Sequence, residues 1–320
     1  MTAVNNSAFN ISQQNFTDVS VFYIASGVLH ILLVVVPVLV FGPIVLGVFI
    51  SNKELRDPVS ILYICTATLC VIGPLTYGLL LDCSLITTVE FFGSCESQTS
   101  KIFWVLFGTF QTQLLASNAL LSLVQYISAK WGSKKISTRV VVGIFFTMFV
   151  VSLLANMIHF IGSSEEHIRG SLCRHPGAAI PYAYPFITMF TLGVLTIPPF
   201  VLVVVFSILT IVYVKKKTVQ NSHVIKTVVK IVLIWTAAVM LCRSLPILVV
   251  FLGFDTASTP ISVILVRSWY GIYSVELSYP LFVLLPMFLH KTVGKILKKK
   301  FKSIYAQYNL SRVSPSGSSI

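Results

Sequence analysis

The chain has 320 residues, 56% of them hydrophobic and only 10% charged, with a mean hydropathy of +0.89. A soluble chain of this length would form about two domains, but this composition excludes soluble domains and points to one polytopic membrane domain. The net charge of +13 is no nucleic-acid signature, because the basic residues follow a side-to-side pattern that membrane topology explains.

Residues 1–20 are polar, lack Lys and Arg, and carry three glycosylation sequons at Asn5, Asn10 and Asn15. They are expected to form a glycosylated, disordered extracellular tail. The start has no basic segment followed by a short apolar core, so no cleaved signal peptide is expected, and the first span serves as the anchor. Seven apolar runs follow, at residues 21–50, 59–81, 102–129, 140–161, 182–214, 231–254 and 261–289. Each is long enough to cross a bilayer core, and each is predicted to be helical because a span must satisfy its own backbone. His30 is the only ionisable group in the first run apart from tyrosine, whereas Arg243 lies at the centre of the sixth and Glu276 within the seventh. The predicted domains are the tail 1–20, a seven-transmembrane bundle 21–289, a short amphipathic eighth helix 290–304 and a disordered tail 305–320.

Most of the 23 basic residues fall on one side of these runs: Lys53 and Arg56, Lys130 to Arg139, Lys215 to Lys230, and the tail. Asp18, Asp82, Glu90, Glu96, Glu165, Glu166 and Asp255 fall on the other. The positive-inside rule then places the N-terminus outside and the C-terminus inside. The sequons agree, and an odd number of spans satisfies both. The chain is thus expected to be a multi-pass protein of the plasma membrane. Cys65, Cys70 and Cys242 sit in apolar runs and are expected to be buried thiols. An oxidising outer face accommodates a bridge, with Cys95–Cys173 the favoured pairing and Cys83 or no bridge the alternatives.

This layout resembles the G-protein-coupled receptors, specifically the rhodopsin-like superfamily, as a divergent member. Pro198-Pro199 in the fifth span, Pro246 in the sixth and Pro280 or Pro286 in the seventh are similar to that family's prolines. Leu55-Arg56-Asp57-Pro58 resembles its short first inner loop, and residues 289–301 resemble its eighth helix. The signature motifs are replaced. The Asp-Arg-Tyr of the third span falls on Val124-Gln125-Tyr126, the second-span Asp near Cys70, and the first-span Gly-Asn on Gly42-Pro43. The Cys-Trp-x-Pro of the sixth span becomes Arg243-Ser244-Leu245-Pro246.

A charge at the centre of a span is costly and needs an answering group. Glu276 in the next span is the natural partner of Arg243, with Pro246 three residues beyond the arginine and Pro280 four beyond the glutamate. The two prolines loosen the turns that hold the pair. Removing one member of a buried pair typically costs about 3–5 kcal/mol, enough to set a resting state. The alternative is that Arg243 snorkels or bonds third-span amides. The resemblance places a ligand pocket at the outer end, where Phe107, Gln111, Phe251, Trp269 and Tyr273 imply a small, largely apolar ligand. A peptide ligand stays open. Belt packing is the alternative for each aromatic. Asn118 and Ser122 are read as interhelical hydrogen-bonding groups. The resemblance also implies an inner face for a heterotrimeric G protein at Gln125, Tyr126, Lys215, Lys216 and Lys217, lysines that equally serve as anchors.

Val293, Ile296, Leu297, Phe301 and Ile304 form an apolar stripe opposite lysines, suited to anionic lipid. Ile320 ends a short motif similar to a PDZ-domain ligand. No catalytic motif, metal spacing or cofactor-binding loop is present in the sequence, which argues against an enzyme. The leading expectation is a cell-surface receptor that transmits a signal by helix rearrangement. The alternatives are a seven-span transporter or channel using Arg243 and Glu276, or a receptor-shaped binder that does not couple to G proteins.

Overall fold

In the computed structural model the described residues are 25, 27–52, 56–78, 98–131, 136–161, 191–217, 222–241, 276–285 and scattered helical positions over 294–306. Among them there is no strand, and the longer helical segments are α1 Gly27–Ser51, α2 Pro58–Gly73, α3 Gln98–Trp131, α4 Thr138–Ile161, α5 Ile197–Lys217, α6 Ser222–Val239 and α7 Glu276–Leu285. By length and composition, four of these regions can cross a membrane: α1, α2 extended to Thr76, α4, and α5 begun at Val194.

The helix starts follow from local chemistry. The Asp57 carboxylate accepts from the backbone N–H groups of Val59 (2.9 Å) and Ser60 (3.1 Å), and Pro58 occupies a position where no N–H is needed. The loop that resembled a family feature is therefore a helix cap in its own right. The sixth helix begins at Ser222, well before the predicted residue 231. Val224, Ile225, Val228 and Val229 keep helical spacing beside Lys226 and Lys230, so the apolar stripe extends past the membrane-length run.

Prolines shape the spans. The winding widens to a π-type turn at Ile31–Val35, one turn before Pro37, and again at Thr191–Thr196, just before Pro198 and Pro199. A proline lacks the N–H that would bond the carbonyl four residues earlier, and its ring crowds that carbonyl, so the preceding turn opens.

The centre of the bundle is α3, which packs against α2, α4 and α5. Its hydroxyls are buried without cost to the apolar surroundings because they bond back along their own helix: Thr109 to the Val105 carbonyl (2.6 Å), Ser117 to that of Gln113 (2.6 Å) and Ser122 to that of Asn118 (3.0 Å). Ser122 therefore serves its own helix, and the ties between helices come from longer side chains. The Gln113 amide donates to the Phe145 carbonyl on α4 (3.1 Å), and the Asn156 amide donates to Thr112 (3.3 Å). Gly42 lets α1 approach α2 closely, since a Cβ there would lie 2.5 Å from Val71 Cγ2.

One apolar core joins Val45 and Phe49, Leu62, Leu114 and Leu121, Trp235, and Tyr279 with Phe282. Outward, α1, α4 and α5 expose Leu, Ile, Val and Phe along their length, Leu32, Phe146 and Ile208 among them. A soluble protein rarely shows such a surface, and hydrocarbon covers it without penalty. Ile296, within the helical positions after α7, packs against the core while Lys295, Lys298, Lys299 and Lys302 are exposed.

Candidate functional site

Two constellations stand out, one in each half of the bundle. The first joins α1 to α7. His30 Nε2 lies 3.4 Å from Glu276 Oε2, and the side chains are 2% and 1% exposed. At about 1.5 Å per residue, His30 sits roughly 30 Å along α1 from Ser51, in the half of the bundle remote from the loop at residues 52–57. A carboxylate buried this completely needs a cationic or hydrogen-bonding answer, and the His30 imidazole is the ionisable group placed against it. Pro280 is buried one turn further along α7 and cannot donate to the Glu276 carbonyl. That leaves the glutamate on a turn with a missing backbone bond.

The second constellation lies at the opposite end and is mostly aromatic. The Gln125 amide on α3 donates to the Tyr63 hydroxyl on α2 (3.2 Å). The Tyr63 ring meets Trp235 on α6 edge to face, with centroids 5.3 Å apart and planes at 89°. Trp235 in turn leans on Phe282 of α7 at 4.9 Å, and Phe49 of α1 stacks on Tyr63 at 6.3 Å. Such ring pairs add about 0.5–1.5 kcal/mol each beyond burial. Beside this chain, the Tyr213 hydroxyl of α5 donates to the Lys130 carbonyl of α3 (3.1 Å), and the Thr236 hydroxyl of α6 donates to Ser207 of α5 (2.7 Å). Lys130 Nζ lies over the Trp131 ring at 4.5 Å, which holds the ammonium against its own helix end.

Of the residues expected from sequence, Phe107 and Gln111 are half-buried and one turn apart on α3, with Phe107 packed on the core. Gln125 and Tyr126 are half-buried near the far end of the same helix, and Lys215 and Lys216 are exposed at the end of α5, where Lys217 is the last residue. Cys65 and Cys70 are thiols, the second buried. Phe251, Trp269, Tyr273, Arg243, Pro246, Cys95, Cys173, Asn5, Asn10, Asn15 and Ile320 lie outside the described residues.

Sequence reasoning noted His30 but gave it no role. The available signal was that the first and seventh runs each hold an ionisable group for which nothing in the same run provides an opposite charge at helical spacing. Nothing in the sequence singles out Tyr63 or Trp235. An aromatic inside an apolar run carries no mark that tells a junction from ordinary packing.

No family model matches this sequence, and no curated protein does. The fold, in contrast, is similar to that in the crystal structure of squid rhodopsin, with a TM-score of 0.65 at 16% identity, over 89% of this chain and 87% of that one. The chain therefore has a rhodopsin-like helical membrane fold. Apolar outward faces and that fold together make it a multi-pass membrane protein.

Proposed function

We propose that this protein is a seven-span cell-surface receptor, N-terminus outside, which binds a small, largely apolar ligand near Phe107 and Gln111 and passes the signal inward by moving its helices. The observation that carries this reading is the rhodopsin-like fold over 89% of the chain. In that orientation the His30–Glu276 pair lies in the outer half and the Gln125–Tyr63–Trp235–Phe282 chain in the inner half.

The mechanism follows from which helices each group joins. Glu276 is the fixed carboxylate of the outer half, met by His30 from α1, and the sequence offers Arg243 of the sixth run as a second partner. A ligand that shifts the sixth or seventh span changes how Glu276 is shared, and a buried charge is costly to leave unanswered. The inner aromatic chain turns that shift into movement at the cytoplasmic end, because Trp235 cannot follow the sixth span outward without leaving Tyr63. Phe251, Trp269 and Tyr273 complete the ligand site in this reading, and Cys95–Cys173 and the glycans at Asn5, Asn10 and Asn15 belong to the outer face.

A second reading is a receptor-shaped binder without G-protein coupling. It is favoured by Gln125, which stands where the resembled family has arginine and whose amide is engaged by Tyr63. Guanine-nucleotide exchange on purified heterotrimeric G proteins, run beside tracer flux in vesicles, separates the readings. Exchange supports the receptor, silence in both with retained ligand binding supports the binder, and flux overturns both in favour of a transporter. Within the site, Arg243→Glu and Glu276→Arg each lower surface expression, and the double swap restores it. Absence of rescue removes Arg243 from the cluster.

A further inference from the structure

The face of the bundle between α3, α4 and α5 is concave. The crevice has a volume of about 340 Å³, floored by Ala116, Ala119 and Ser152 and walled by Met148, Leu202 and Phe206. It exists because α3 carries alanines one turn apart where its neighbours carry large side chains, so the gap between α4 and α5 is not filled from behind. On its rim, Ile144, Val151, Val194 and Leu202 are exposed. The same helices expose Phe146, Val150, Leu154, Val201, Val205 and Ile208 around it. In a membrane-spanning chain that surface meets hydrocarbon, so whatever enters the crevice comes from the bilayer.

Three features narrow the occupant. Among the described residues no charged one lines the crevice, and its hydroxyls come from Thr147, bonded to the Gly143 carbonyl, and Ser152, buried at the floor. The occupant at this depth is therefore a hydrocarbon group without a charge. The lining on α5 and the π-type turn before it runs from Val194 to Phe206, roughly 18 Å at 1.5 Å per residue, so the crevice is elongated along the helix. A second helix with its side chains is about 10–12 Å across, too thick to enter a space of this volume. A flexible chain fits an elongated slot whose walls are Met, Leu and Phe.

We infer that this crevice is a binding site for one acyl chain of a membrane lipid, held between α3, α4 and α5 apart from the proposed ligand pocket. The site rests on the membrane-spanning fold and not on the receptor reading, so it survives failure of any signalling assay.

The test uses the full-length protein in nanodiscs that contain a phospholipid with a photoreactive group in its acyl tail. After illumination, labelled peptides are mapped by mass spectrometry. Labelling concentrates on Ala116–Leu123, Ile144–Ser152 and Val194–Phe206, and saturates at one lipid per protein. Ala116→Leu fills the floor and Leu202→Trp covers the rim from an exposed position where folding is not at stake; each lowers labelling there several-fold. Phe146→Ala, on the exposed surface outside the crevice, leaves it unchanged. Three results overturn the inference: labelling spread evenly over all outward faces, labelling by a photoreactive sterol in place of the acyl probe, or cross-links between two copies through these residues.

Discussion

The two halves of this bundle are held by different physics. In one, His30 and Glu276 meet as buried ionisable groups, 3.4 Å apart between α1 and α7. In the other, Tyr63, Trp235 and Phe282 meet as rings across α2, α6 and α7, with one amide hydrogen bond from Gln125. A contact between buried ionisable groups tolerates small displacements but not the loss of a partner, because the survivor is left in a medium that cannot solvate it. A ring contact degrades in proportion to the atoms removed. The polar half is thus expected to fail as a unit when a partner is lost, and the aromatic half by degrees.

Reversing one charge tests that contrast at its strongest. Glu276→Lys places an ammonium against His30 and is expected to cost at least the roughly 3–5 kcal/mol of a broken buried pair, enough to remove most folded protein from the cell surface. Exchange of the pair, His30→Glu with Glu276→His, restores expression. Flow cytometry of tagged protein reads both, and normal expression of Glu276→Lys alone would show that the pair has no structural weight.

The aromatic half is expected to break by degrees. Trp235→Ala removes a large buried ring and costs about 3–5 kcal/mol, read as a fall in melting temperature in detergent. Trp235→Phe keeps part of the contact with Tyr63 and Phe282 and falls between Ala and wild type. Equal melting for the two variants would mean that the ring contacts do not grade with size. The close approach of α1 to α2 should cost less again. Gly42→Ala sets a methyl 2.5 Å from Val71 Cγ2, and valine has no flexible end to move aside. Overpacking of this kind costs about 1–3 kcal/mol. Gly42→Ala combined with Val71→Ala recovers most of the loss in the same melt, and a double variant no better than the single one refutes the contact.

How far the sequence discloses these features depends on whether a feature is local. The apolar runs that became α1, α2, α4 and α5 are legible because crossing length is a property of one segment. So is the start of α2, because Asp57 and Pro58 act within a turn of themselves. The His30–Glu276 contact joins the first span to the last, and no periodicity within either run states which helices are neighbours. Glu276 is recognisable as needing a partner, and Arg243, at the centre of the preceding run, is the candidate that span order suggests. The histidine of the first span was equally available once α1 is known to lie beside α7. The Tyr63–Trp235 junction is still less legible, since its rings obey the same pattern as core packing.

The smallest expected effect concerns the Gln125–Tyr63 hydrogen bond of the aromatic half. Tyr63→Phe removes the hydroxyl that accepts from Gln125 and leaves the ring against Trp235. A typical net hydrogen bond contributes about 0.5–1.5 kcal/mol, and the change should be near that value because the Gln125 amide is left half-buried. Gln125→Leu removes the other partner, and the double variant should then cost little more than either single one. The cycle isolates the bond from the packing around it. Additive losses would mean that Gln125 and Tyr63 act separately, and the tie between α2 and α3 at this end would rest on apolar contact alone. A non-additive result would make that bond the specific tie between α2 and α3 at this end. The contrast between the two halves would then soften, since the aromatic half would also contain one contact that fails as a unit.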